Sequence, residues 1–183
     1  MVHSAHDLEI PAVVPIYEPM QTGARIGIHG SIHHNFDRFC VELLSGPHVV
    51  LHVDFRFGSE HGVVMNAKLH GVWGSETRTE NPLNHSDHYH IEITAHENYY
   101  RVEVNGDLLA DFEHRMPKES VQAIGFRGEG HIKKVQFDGF SFENTWHSHV
   151  DDGHFGHGGW IGYGTDVYAE PTFVDGHHIH SFF

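Results

Sequence analysis

His52, Asp54 and Arg56 occupy every second position of HVVLHVDFRF (48–57). In an extended strand alternate side chains share a face about 7 Å apart, so an imidazole, a carboxylate and a guanidinium line up on one side. Further along, VVMNAKLHGV (63–72) carries Asn66 on a face with Val64 and Lys68. The stretch HGVWGSETR (70–78) sets Trp73 between Gly71 and Gly74 and puts Glu76 and Arg78 two residues apart. If these segments are neighbouring antiparallel strands, one concave patch holds donors and acceptors of both signs beside a flat indole. A pyranose matches that inventory: its hydroxyls both donate and accept, and one ring face offers C–H groups to an aromatic. Arg–carboxylate pairs hold each other in fixed positions. A rigid polar site of this kind discriminates sharply, because a misplaced hydroxyl leaves buried groups unpaired.

The elements that must position these residues read as strands. Period-2 alternation dominates in ARIGIHG (24–30), RFCVELL (38–44), HVVLHVDFRF (48–57) and HYHIEITAH (88–96). It predicts Phe39, Val41 and Leu43 on one face. In 48–57 it predicts Val49, Leu51, Val53 and Phe55 inside, with Val50, His52, Asp54 and Arg56 opposite. NYYRVEVNGDLLADFEH (98–114) reads as a hairpin turning at Asn105-Gly106, and residues 121–143 add two short strands around Gly128–Gly130. No segment shows capped helical periodicity. Many short strands with one wet face each indicate an all-β protein, a jelly-roll β-sandwich of two antiparallel sheets.

The chain has 183 residues, 39% of them hydrophobic, enough for one domain with a sizeable core. No run approaches the roughly 18 apolar residues of a membrane helix, and no secretory leader is read at the N-terminus. A cytoplasmic place of synthesis is expected. The formal charge of −14 argues against nucleic acid and anionic membranes as partners. Protonating all 22 histidines would reverse the sign of that charge, so solubility and self-association should respond to mild acid. Cys40 is the one cysteine, which excludes an internal disulfide and reads as a structural thiol.

The ordered pattern His52-x-Asp54-x-Arg56, Val64-x-Asn66, Trp73-x-x-Glu76-x-Arg78 resembles the carbohydrate-recognition signature of the galectins. The stretches VPIYEPMQTGARIGIHGSI, YYRVEVNGDLLADFEHR and IGFRGEGHIKKVQF are similar to the family's opening, hairpin and final strands, over about residues 10–145. The resemblance implies a lectin that binds β-galactosides on glycoproteins or glycolipids without metal or other cofactor. His52 and Arg56 would then bond the axial 4-hydroxyl of galactose, Asn66 and Glu76 the 6-hydroxyl, and Trp73 would stack on the ring. Arg78 would orient Glu76 and touch a second sugar. It also implies a route out of the cell without a signal peptide, and multivalent binding through a homodimer or clustered glycans. The chain departs from the family at Asp54, where an Asn is usual, and at Phe55, where the family has Pro. The loop FGSEHG (57–62) is short. A carboxylate accepts but does not donate, so Asp54 either accepts from the sugar or pairs with Arg56 or Arg78 and alters glycan preference.

Two segments flank this unit. Residues 1–9 are polar and are expected to be loose. Residues 146–183 form a His-, Gly- and aromatic-rich extension, part of which should pack on the sandwich or a partner, given Phe155, Trp160, Tyr163, Tyr168 and Phe173. Its His147, His149, His154, His157, His177, His178 and His180 raise metal binding as an alternative, although their spacing fits no compact zinc site. A glycosidase using Asp54 and Glu76 is disfavoured, because arginine neighbours keep carboxylates ionised and a general acid needs a raised pKa.

Overall fold

A computed structural model describes residues 2–16, 18–32, 36–85, 87–140, 160 and 162–168. Thirteen strands follow one another: β1 (Val2–Glu9), β2 (Ala12–Pro15), β3 (Arg25–Ser31), β4 (Arg38–Ser45), β5 (His48–Phe57), β6 (His61–Leu69), β7 (Val72–Trp73), β8 (Thr77–Glu80), β9 (His88–Ala95), β10 (Tyr99–Val104), β11 (Asp107–Glu113), β12 (Ala123–Gly128) and β13 (His131–Asp138). They form two antiparallel sheets. One runs β1-β13-β3-β9-β10-β11; the other runs β2-β12-β4-β5-β6-β7, with β8 also paired to β6. This is the β-sandwich jelly roll that the alternation predicts.

The core lies between the sheets. Phe39, Val41 and Leu43 of β4 meet Tyr89, Ile91 and Ile93 of β9 there, together with Ile26 and Ile28 of β3, all buried. Period-2 spacing sends these side chains to one face, and burying each contributes roughly 1.5–3 kcal/mol. Turns fall where the backbone must turn left-handed. Asn105 and Gly106 (φ 52° and 87°) join β10 to β11, and His70 and Gly71 (φ 53° and 80°) join β6 to β7. Positive φ at both central residues matches the twist of a tight hairpin.

The structure departs from the sequence reading in two places that matter for the site. Val50, expected outside, is buried in the core, and Val49, expected inside, faces outward. A β-bulge is the reason: Leu43 pairs with Leu51 but Leu44 pairs with Val49, leaving Val50 as an extra residue. The bulge puts two consecutive side chains, Val50 and Leu51, on the same side. The second departure is at the N-terminus. Val2–Glu9, expected to be loose, is an edge strand hydrogen-bonded along β13, with Ala5 opposite Val135 and Leu8 opposite Ile132. Among its described side chains, Ala5 and Leu8 are the ones that enter the core, too few to show as alternation. Backbone pairing with β13 supplies the rest.

Candidate functional site

The outer face of the β2-β12-β4-β5-β6 sheet is built by register. Arg38, Cys40 and Glu42 of β4 stand opposite Arg56, Asp54 and His52 of β5. His52 and Asp54 in turn stand opposite Asn66 and Val64 of β6, and Val64 stands opposite Arg78 of β8. On the other side of β4, Arg127 pairs with Cys40 and Gly125 with Glu42. Strict alternation then brings all these side chains to one face. They surround a cleft of about 370 Å³ whose rim includes Arg38, Arg56, Arg127, Trp73 and Glu76, with His52 and Asn66 in its floor.

Two buried carboxylates lie beneath the cations. Asp54 has no exposed side-chain surface. Its Oδ1 accepts from Arg38 Nε (2.8 Å) and from the Cys40 thiol (3.2 Å), and its Oδ2 accepts from Arg56 Nε (2.9 Å). Burial disfavours its charge, but the hydrogen bonds from Arg38, Arg56 and Cys40 win and hold its carboxyl below the usual range. Of the partners the sequence allowed Asp54, the structure supplies Arg56 and adds Arg38; Arg78 pairs with Glu76 and Glu60 instead.

Glu42 is the second. Burial pushes its carboxyl up, yet hydrogen bonds from His52 and Arg127 outweigh that and hold it at about 2. Glu42 Oε2 lies 2.6 Å from His52 Nδ1, Arg127 Nε donates to Oε1 at 2.9 Å, and the Tyr163 hydroxyl donates to the same oxygen. An ionised carboxylate can only accept, so His52 carries a proton on Nδ1. In the tautomer with its single proton on Nδ1, Nε2 is an acceptor, and it lies 4.0 Å from Asp54 Oδ2. Arg56 spends Nε on Asp54 and a terminal nitrogen on Glu60 (2.8 Å), which leaves further N–H groups to aim into the cleft.

Asn66 is oriented by its own turn. Its Nδ2 donates to Gly74 O (2.9 Å), while its Oδ1 accepts from Ala67 N and from Arg115, each at 2.8 Å. Gly74 leaves room for the Arg115 guanidinium, which would have to shift for a Cβ standing 2.9 Å away. The β6–β7 turn projects Trp73, which is 43% exposed and meets the His52 ring edge-to-face at 4.8 Å. That exposure leaves indole surface available to a ligand, with Lys68 Nζ 5.9 Å from the ring centroid. Beside it Arg78 Nε donates to Glu76 Oε2 at 2.8 Å.

Sequence reasoning missed Arg38, Glu42, Glu60, Arg115, Arg127 and Tyr163 at this site. Arg38 and Glu42 were recoverable in principle, because they alternate with the apolar face of β4. Cys40, His52 and Asp54 place donor atoms within 4.8 Å of one another, a spacing that a metal can use. Their chemistry points elsewhere: Asp54 is committed to two guanidiniums, and burial pushes the Cys40 thiol far above its usual range. The seven histidines named for the extension lie outside the described residues.

Known proteins resemble this chain in sequence and in fold. A family profile described as galactoside-binding lectin matches residues 11–137. The chain is 45% identical over 183 residues to the probable galaptin lec-8 of Caenorhabditis elegans, covering 100% of both chains. It is 41% identical over 139 residues to the probable galaptin lec-7 of the same organism, covering 75% of this chain and 78% of that one. Among solved structures it is similar to Caenorhabditis elegans galectin LEC-6, with a TM-score of 0.70 and 27% identity over 74% of this chain and 95% of that one.

Proposed function

The chain belongs to the galactoside-binding lectin family, and from that membership we propose that it is a β-galactoside-binding lectin whose ligand sits in the cleft between Arg127 and Trp73. The observation that carries this reading is the pairing of His52 and Arg56, both fixed by buried carboxylates, with an exposed Trp73 standing over the same floor. The axial 4-hydroxyl of galactose donates to His52 Nε2 and accepts from Arg56. Its 6-hydroxyl meets Asn66 and Glu76, and its apolar face lies on Trp73. Asp54 is a strut in this account: it holds Arg38 and Arg56 and does not itself reach the sugar.

No catalytic step is assigned. Asp54 is buried under two guanidiniums and Glu42 under one guanidinium and an imidazole, so neither can serve as the general acid of a hydrolase. Each sugar contact is made against water competition, so monovalent affinity falls at about −4 to −8 kcal/mol.

Calorimetry with lactose and with its 4-epimer cellobiose tests the reading. Lactose should bind at least about tenfold more tightly, since the epimer turns the 4-hydroxyl away from His52 and Arg56 and leaves both unmatched. Trp73→Ala should cost a further tenfold or so without lowering thermal stability. Equal binding of the two disaccharides would sink the assignment.

A further inference from the structure

The outer face that carries the cleft is divided in two. Its β5–β8 half is polar and open. Its β2-β12-β4 half carries Arg38, Glu42 and Arg127 and, beside them, an apolar patch that is covered by the chain's own C-terminal segment: Trp160 and Tyr163 are buried in a cluster with Val13 of β2, Leu44 of β4 and Ala123 of β12. Val49, turned outward by the bulge, packs against the same cluster. The seat is fitted to the segment. A Cβ on Gly125 of β12 would stand 2.6 Å from the Tyr163 ring, and a Cβ on Gly164 would stand 2.5 Å from Pro11. Trp160 Nε1 donates to Gly46 O at 3.2 Å, and the Tyr163 hydroxyl donates to Glu42. Tight turns at 160–163, 162–165 and 165–168 keep the segment compact over that seat.

We infer that this segment is a specificity-determining wall: it closes the sugar cleft at Arg127 and restricts the protein to galactose that is unsubstituted on its 3-hydroxyl. The inference rests on the galactoside reading of the cleft. With the 4-hydroxyl at His52 and Arg56 and the second sugar running toward Arg78, the reducing end leaves across β8. Ring geometry then places C3, the carbon beside C4 and away from the glycosidic bond, on the β4 side. Growth from the 3-hydroxyl runs over Glu42 and Arg127 toward β12. Tyr163 stands on that path, over Gly125 and against Glu42, and Gly164 lies against the Arg127 stem. The same contact has a second effect, because Tyr163 shares the Glu42 carboxylate with His52 and so helps to fix the imidazole that reads the 4-hydroxyl. The wall and the reader are joined through one buried acid.

The test is calorimetry on the full-length chain with three probes: lactose, a trisaccharide bearing a sugar on the galactose 3-hydroxyl, and an oligosaccharide lengthened at the reducing end of lactose. The wild type should bind the first and third within about threefold of each other and the second at least about tenfold more weakly. Trp160→Ala/Tyr163→Ala should bring the second probe to within about threefold of lactose on that same variant, while the loosened His52 weakens both probes alike. Tyr163→Gly, which keeps Trp160 in its socket, is the second arm. Wild-type binding of the 3-substituted probe as tight as lactose overturns the wall, as does continued rejection by either folded variant. Should the wild type ignore lactose itself, the galactoside reading fails first and the wall falls with it, a result distinct from tolerance of all three probes.

Discussion

Asp54→Asn separates a strut from a sugar contact. The carboxylate has two oxygens and three donors: Arg38 and Cys40 on Oδ1, and Arg56 on Oδ2. An Asn has the same shape but one acceptor oxygen, and its Nδ2 would point an N–H at a guanidinium N–H. One arginine must therefore lose its acceptor at a carboxylate with no exposed surface, although both guanidiniums are themselves part-exposed. A hydrogen bond to a charged group is worth about 1.5–3 kcal/mol net, and water reaching the part-exposed guanidinium offsets some of the loss, so unfolding free energy should fall by about 1–2 kcal/mol. That is a large share of the roughly 5–15 kcal/mol of a typical domain. If the oxygen stays with Arg38, Arg56 is freed and lactose affinity drops by about tenfold, or about 1.4 kcal/mol. Urea unfolding and calorimetry measure the two effects on one sample. Removing the competitor as well, in Asp54→Asn/Arg38→Gln, should let the single oxygen serve Arg56 and recover part of the affinity, a coupling that a double-mutant cycle reads directly. The reasoning is refuted if Asp54→Asn alone binds lactose as tightly as, or more tightly than, the wild type with unchanged stability. A group that touched the sugar, able to donate as well as accept, would give that result.

Two other expectations follow from the same buried groups. Glu42 is held at about 2 against an ordinary value of 4.5, so its contribution is complete above about pH 5 and is lost as pH falls toward 2. Urea midpoints should decline over that window by an amount on the order of 3 kcal/mol, and Glu42→Gln should flatten the decline. The Cys40 thiol, buried and pushed up by desolvation and by the Asp54 charge, should resist iodoacetamide at pH 8 in the native protein and react promptly in urea. Native reactivity at the unfolded rate would contradict the burial.

Much of the fold is legible because alternation reports burial directly. β9 shows Tyr89, Ile91 and Ile93 inside with His88, His90 and Glu92 outside, as its residues dictate. The Asn105-Gly106 turn is legible because left-handed backbone at two successive positions favours those residue types. β1 is not legible, since an edge strand of Ala5 and Leu8 among polar residues is held by main-chain bonds to β13, and these carry no side-chain signature.

The site divides in the same way. His52, Arg56, Asn66, Trp73, Glu76 and Arg78 could be picked out because each has a chemistry that stands out locally. Glu42 shows only as a polar position alternating with the apolar face of β4, and Arg127 shows no signal, because it lies 75 positions from His52 in the chain and reaches Glu42 only through strand register. That register depends on one residue. With Val50 bulged into the core, Val49 turns outward beside Leu44, and the face below His52 becomes apolar. An apolar patch next to a polar cleft must be covered or it exposes hydrocarbon to water, and Trp160 with Tyr163 covers it. The Tyr163 hydroxyl then has to find an acceptor in a dry place, and Glu42 is within reach. Glu42 in turn needs donors to remain ionised there, and the Arg127 guanidinium and His52 Nδ1 provide them. The bulge thus links the wall to the imidazole: a change that made β5 regular would bring Val50 out and Val49 in, and the segment would lose its seat.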